Sequence, residues 1–174
     1  MSFLPVRQRH HALRRIHAVH RQLHAPRVFS HESAALLWEL GLWNVPPRVH
    51  VIQQYRAGSR ACQRVVRHYT DPGDVMVLGG VPVTSLARTT ADCLMTMHPM
   101  AGLVVADAAM ARGLSPPGAL RALHRRGRCR GRTKAEILID AAEPGQRHPD
   151  EYHERFATLQ AAYPETFARY PAEP

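Results

Sequence analysis

Apolar residues recur along this chain with changing spacing, and each spacing predicts an element. Across residues 5–24, Leu13, Ile16, Val19 and Leu23 gather on one face of a helical wheel with Ala12 beside them. Pro26 ends that helix, and a short strand over Arg27–Phe29 leads to Ser30, a good N-cap, with Glu32 in the first turn. The second helix, His31–Leu40, is apolar on most sides, and Gly41 follows at the position that favours glycine after a helix.

From Arg48 the period shortens to two. Arg48–Gln54 and Gln63–Tyr69 alternate and are β-branched, and Val75–Val83 is a third candidate strand. Asp71-Pro-Gly-Asp74 is a turn, and Gly79-Gly80 marks a second turn or a bulge. Helical spacing returns after Thr84 or Ser85, with Leu86, Thr90, Cys93, Leu94 and Met97 in register. Met100–Arg112 is mostly apolar and ends at Gly113. Ser115 with Pro116 opens another helix that Gly127 closes. Thr133-Lys-Ala-Glu136 has the capping-box form, and a last helix runs from about Pro149 to Ala162. The pattern predicts an α+β fold: a small mixed or antiparallel sheet over about residues 48–83, packed by several helices. Residues 1–145 read as one domain with a basic N-terminal helix, and 146–174 as an acidic, partly helical tail.

Charge sharpens this picture. Of 174 residues, 23 are Lys or Arg and 14 are Asp or Glu, for a net charge of +9. The excess is not spread evenly. Residues 1–70 hold eleven Arg against two acids, and Leu114–Lys134 holds six Arg, one Lys and no acid. The last forty residues reverse the balance, with eight acids against three Arg. Such clustering points to a polyanion partner.

The run Arg125-Arg126-Gly-Arg128-Cys-Arg130-Gly-Arg132-Thr-Lys134 is the strongest binding candidate. It joins two helices and empties into a helix N-terminus, where free amides and the dipole favour phosphate. A solvated interhelical loop balanced by the acidic tail is the plainer alternative. No aromatic residue is interleaved in the run, so contact with the backbone of duplex DNA or structured RNA fits better than a stacking platform for single strands. On the first helix Arg7, Arg14 and Arg21 form a stripe that suits phosphates or an acidic partner, or simply a wet helix face. The acidic tail is expected to fold over the basic loop and weaken polyanion binding.

The remaining chemistry is sparse. His10, His17 and His24 form a row along the first helix but are too far apart to share an ion, so no metal is expected. Arg88, Asp92 and Asp107 sit on otherwise apolar helices, where a charge is usually paired. Arg88 is expected to contact one of the two carboxylates and lock their helices together, with a catalytic dyad as the sharper alternative. Cys62, Cys93 and Cys129 are widely spaced and form no C-x-x-C pair, which fits a reducing, cytoplasmic setting. No phosphate-binding glycine loop, H-E-x-x-H or G-x-S-x-G occurs. The expectation is a non-enzymatic protein with no cofactor and no membrane partner.

Three segments in order carry a family likeness: Phe29-Ser-His-Glu-Ser-Ala-Ala-Leu-Leu-Trp-Glu-Leu40, Val83-Thr-Ser-Leu-Ala-Arg-Thr-Thr-Ala-Asp92 and Ala106-Asp-Ala-Ala-Met-Ala-Arg-Gly113. Together they resemble the central region of actinobacterial AbiEi-like proteins, the antitoxin and transcriptional-regulator family of type IV toxin–antitoxin systems. That family usually carries a winged helix–turn–helix before this region and often a domain resembling very-short-patch-repair endonucleases after it. Here the segments before Val28 and after Pro144 carry the pattern of neither. The resemblance implies a regulatory, DNA-binding protein with a cognate toxin as a possible partner. A protein-interaction module for an acidic partner, and an inactive remnant of a nuclease-fused protein, remain as alternatives.

Overall fold

The computed structural model describes residues 4–22, 27–53, 64–145 and 147–174. Leu23, His24, Pro26, Gln54, Cys62 and Gln63, used in the readings above, lie outside them. In chain order the elements are α1 (Val6–Gln22), β1 (Val28–Phe29), α2 (His31–Leu37), β2 (Val49–Ile52), β3 (Val65–His68), β4 (Val75–Leu78) and β5 (Val81–Thr84). There follow α3 (Leu86–Thr96), α4 (Pro99–Ala111), α5 (Pro116–Arg125), α6 (Arg132–Asp140), α7 (Pro149–Ala162) and α8 (Pro164–Phe167). The fold is α+β.

The strands form one mixed sheet in the order β3-β2-β1-β5-β4. The candidate strand over Val75–Val83, with its expected turn or bulge at Gly79-Gly80, is a hairpin: Gly79 (φ 55°) and Gly80 (φ 80°) adopt the left-handed conformation that reverses the chain. The sheet also reaches back beyond residue 48. Val28 and Phe29 lie at its centre, antiparallel to β2 and parallel to β5. A two-residue strand is hard to place at the middle of a sheet from pattern alone, since its pairing comes from distant segments.

Two apolar clusters flank α4. One gathers Ile16 of α1, Leu36 of α2, Val49 and Val51 of β2 and Val105 of α4. The other gathers Leu94 of α3, Leu103 of α4, Leu123 of α5, Leu138 of α6 and the rings of Tyr152, Phe156 and Phe167. Helix α4 serves both, which is why it is apolar on all sides: every residue from Pro99 to Met110 is buried. Ser85 caps α3 and Ser115 caps α5, each hydroxyl accepting from a backbone amide three residues on.

Several expected boundaries shift for local reasons. Helix α2 stops at Leu37 because Glu39 turns into the left-handed region (φ 57°). Thr133 does not cap α6: the helix starts one residue earlier, behind Gly131, and Glu136 accepts from Arg132 Nε at 2.9 Å.

The C-terminal segment is an integral part of the fold and not a loose tail. Tyr152, Phe156 and Phe167 are fully buried, each such ring contributing about 1.5–3 kcal/mol over its exposed state. Among the described residues, no helix is long and apolar enough to cross a membrane.

Candidate functional site

The basic loop between α5 and α6 is held by geometry that only glycine permits. Gly131 has φ 86°, and a Cβ there would meet the Met95 carbonyl oxygen at 2.3 Å. The loop is therefore pressed onto the last turns of α3, and Cys129 Sγ lies 3.2 Å from Met95 Sδ. From this anchored loop Arg125, Arg128 and Arg130 point into solvent. Among the described residues Arg125 has one loose ion pair, 3.8 Å from the exposed Asp74. Arg128 and Arg130 make no hydrogen bond or ion pair among the described residues.

The other cations of the run are engaged in the fold. Arg132 donates to Glu136, which also faces His124 Nε2 at 3.2 Å. Lys134 is buried, donates to the Met97 carbonyl at 2.5 Å and lies 5.2 Å from the Tyr170 ring centroid. Burial, with Arg169 nearby, lowers its pKa to about 8. Arg126 turns inward, its Nε 3.1 Å from Asp92 Oδ1 and its Nη1 donating to Thr70 Oγ1 at 2.8 Å. All three are already committed to contacts within the fold, and of them Arg126 and Arg132 remain partly exposed.

Asp92 is the node beneath the loop. It is completely buried on α3 and lies between two guanidiniums: Arg88, one turn earlier, donates from Nε to Oδ2 at 2.8 Å, and Arg126 approaches the other oxygen. Burial pushes this carboxyl up, and the two arginines pull it the other way. Arg88 also donates to the Asp71 carbonyl at 2.9 Å, while its Nη2 has no hydrogen-bond partner among the described residues. The expected pairing of Arg88 with a carboxylate is present but lies within one helix, and it is Arg126 that ties Asp92 to the α5–α6 loop. Asp107, on α4, is held by Arg155 of α7. A cleft of about 330 Å³, lined by Thr70, Asp74, Ser85, Arg88, Arg125 and Arg126, opens above this node. Asp74, Asp71 and Asp92 balance its three arginines, so the unbalanced charge sits on the loop outside it.

Three histidines missed by the sequence reading meet beside the node. His31 opens α2, His50 lies in β2 and His68 ends β3. Strands β2 and β3 run parallel with His50 opposite Val66 and Ile52 opposite His68, so both rings project from the same face. His50 Nδ1 and His68 Nε2 are 3.1 Å apart, and the His31 and His68 rings stack at 3.8 Å. His31 Nδ1 is 3.0 Å from Ser30 Oγ, so Ser30 faces this ring in place of a helix amide. Glu32 Oε2 lies 3.2 Å from His50 Nε2. Desolvation, with the neighbouring histidines, Arg126 and Arg88, lowers the His31 pKa to about 2. Desolvation, with His68 and Arg48, lowers that of His50 to about 4, and His68 is lowered by burial and the two arginines. No helical or short-range spacing links positions 31, 50 and 68; only the strand pairing does.

On α1, Arg7, Arg14 and Arg21 are exposed, as the helical wheel predicts. Arg9 and Arg15 turn inward instead, Arg9 to the Leu36 carbonyl and Arg15 to those of Pro46 and Pro47. Helix α1 packs on α2 and β2, apart from the α3 turns that hold the loop, so the two basic blocks are anchored to different parts of the fold.

Comparison with known proteins finds no matching family model, no matching curated relative and no matching solved structure.

Proposed function

We propose that the protein is a non-enzymatic, antitoxin-like regulator that binds nucleic acid, with duplex DNA the favoured form, through arginine–phosphate contacts at the α5–α6 loop. The observation that carries this reading is the pair of unengaged, exposed guanidiniums of Arg128 and Arg130, with Arg125 beside them, on a loop pinned in place by Gly131. A preordered loop loses little conformational freedom on binding, and a guanidinium matches two phosphate oxygens at once. The exposed stripe of Arg7, Arg14 and Arg21 offers a second set of backbone contacts. Such contacts hold a duplex without reading its sequence.

The test is binding of a short labelled duplex from low to physiological salt by the wild type and by R125A/R128A/R130A. Arg126 is left in place because it holds Asp92. The expected result is steep salt dependence whose log–log slope falls by about 2–3 in the triple variant. Equal slopes, or no binding at low salt, would reject the loop as a phosphate contact.

A second reading is a protein-binding module, with a cognate toxin as the partner. It is favoured by β4, an outer strand whose Val75, Met76 and Val77 are 44%, 45% and 66% exposed. An apolar outer strand of this kind is open to pairing with another chain. Binding to a protein that is indifferent to salt and abolished by V77K would favour this reading over the first.

A further inference from the structure

We propose that His31, His50 and His68 form a three-imidazole binding site for a single divalent transition metal of the zinc class, with Glu32 orienting His50 from outside the ligand set. The inference stands apart from the nucleic-acid reading.

Three imidazole donors converge on one point, with the fourth tetrahedral position left for water. One nitrogen from each histidine lies within 4.8 Å of the other two. Two imidazole nitrogens on one tetrahedral zinc, each at about 2.05 Å, stand about 3.3 Å apart. His50 Nδ1 and His68 Nε2 are already at 3.1 Å. Bringing in the third nitrogen requires the His31 ring to swing out of its stack on His68, a side-chain rotation with no change of backbone. Glu32, on the first turn of α2, lies 3.2 Å from the outer nitrogen of His50, where it accepts from that nitrogen and leaves Nδ1 free to ligate.

The surroundings favour ligation. Arg48, Arg88 and Arg126 lie nearby, and Asp92 and Glu32 offset two of these three positive charges. Ser30 Oγ, 3.0 Å from His31 Nδ1, is placed to accept from that nitrogen and leave Nε2 free to ligate, the usual role of a ligand's outer partner. His31 also holds a left-handed backbone (φ 51°) while 3% exposed. A strained conformation at a buried residue persists where its surroundings demand it, and here it keeps the ring beside the two strand histidines. A bound ion would join the start of α2 to β2 and β3 at one point.

The experiment uses the full chain without an affinity tag, stripped with chelator and titrated with Co(II) as the spectroscopic probe. The expected result is one equivalent of Co(II) with the visible absorption of a four-coordinate site, displaced by Zn(II), and a Zn(II)-dependent rise in Tm. H50Q and H68Q each lower Co(II) affinity by more than about 100-fold, whereas H17A/H20A, which removes the competing pair on α1, leaves it unchanged. X-ray absorption on the wild-type cobalt form counts three imidazoles, a reading independent of how the variants fold. The proposal is overturned if the wild type shows neither absorption nor Tm shift, if binding survives H50Q and H68Q, if it is lost in H17A/H20A, or if fewer than three imidazoles are counted.

Discussion

Arg155, on α7, donates from Nη1 to Asp107 Oδ2 at 2.5 Å and from Nη2 to the Ala141 carbonyl at 2.6 Å. Asp107 is wholly buried on α4 and also accepts from the Glu143 amide at 2.8 Å. One side chain thus joins α4, the end of α6 and α7. R155A leaves a buried carboxylate without its cation and is expected to destabilise by about 3–5 kcal/mol, read by urea denaturation. D107L/R155L, which removes both charges, should lose less than R155A alone. An equal or larger loss in the double variant would mean that the stranded Asp107 charge is not the source of the R155A loss.

The same helix bears on the acidic C-terminus. The charge pattern suggests that removing it would unmask the basic loop. Because Tyr152, Phe156 and Phe167 fill the second apolar cluster, deletion of residues 148–174 is instead expected to abolish cooperative thermal unfolding. A truncated chain that melts cooperatively near the wild-type Tm would contradict this.

Gly131 should be the least replaceable residue of the basic loop. G131A sets a Cβ 2.3 Å from the Met95 oxygen in a backbone conformation that alanine resists. G79A has comparable φ strain (55°) but open space around it. The expected loss in G131A exceeds that in G79A by at least about 1 kcal/mol, measured by chemical denaturation, and comes with weakened duplex binding. Equal losses would show that the loop yields at Met95.

Lys134 gives stability a pH dependence of known sign. Its pKa is lowered to about 8 in the fold from 10.5, so the unfolded chain holds the proton more tightly. The cost of burying the ammonium is fully present below pH 8 and is relieved as pH rises through 8 toward 10.5. Its contribution should grow by about 1 kcal/mol between pH 7 and 9, and K134M should remove that part of the slope. Parallel pH profiles of the two proteins would exclude Lys134 as the source.

The helical elements and the two local turns were legible because their signals are local: Ser85 and Ser115 cap, and the apolar run of α4 marks a helix buried on all sides. The partner of Arg88 was also within reach, since Asp92 lies one turn away. What escaped depends on long-range pairing. His31, His50 and His68 meet only through the register of β2 and β3, and Arg126 turns inward because a buried carboxylate waits on another helix. The docking of α7 did leave a trace: Tyr152, Phe156 and Leu159 share a helical face, but the surrounding acids masked it.

Val28 and Phe29 carry a consequence for the order of events during synthesis. These two residues bridge the halves β2–β3 and β5–β4. Phe29 pairs with Val83, and the chain between them includes every other strand but the last residue of β5. On the ribosome, the N-terminal segment emerges early yet has no completed sheet to enter until Val83 has cleared the exit tunnel. The central seam is thus the strand pairing of this sheet that waits longest for its partner, and the strand at the middle of the sheet is among the last to be paired.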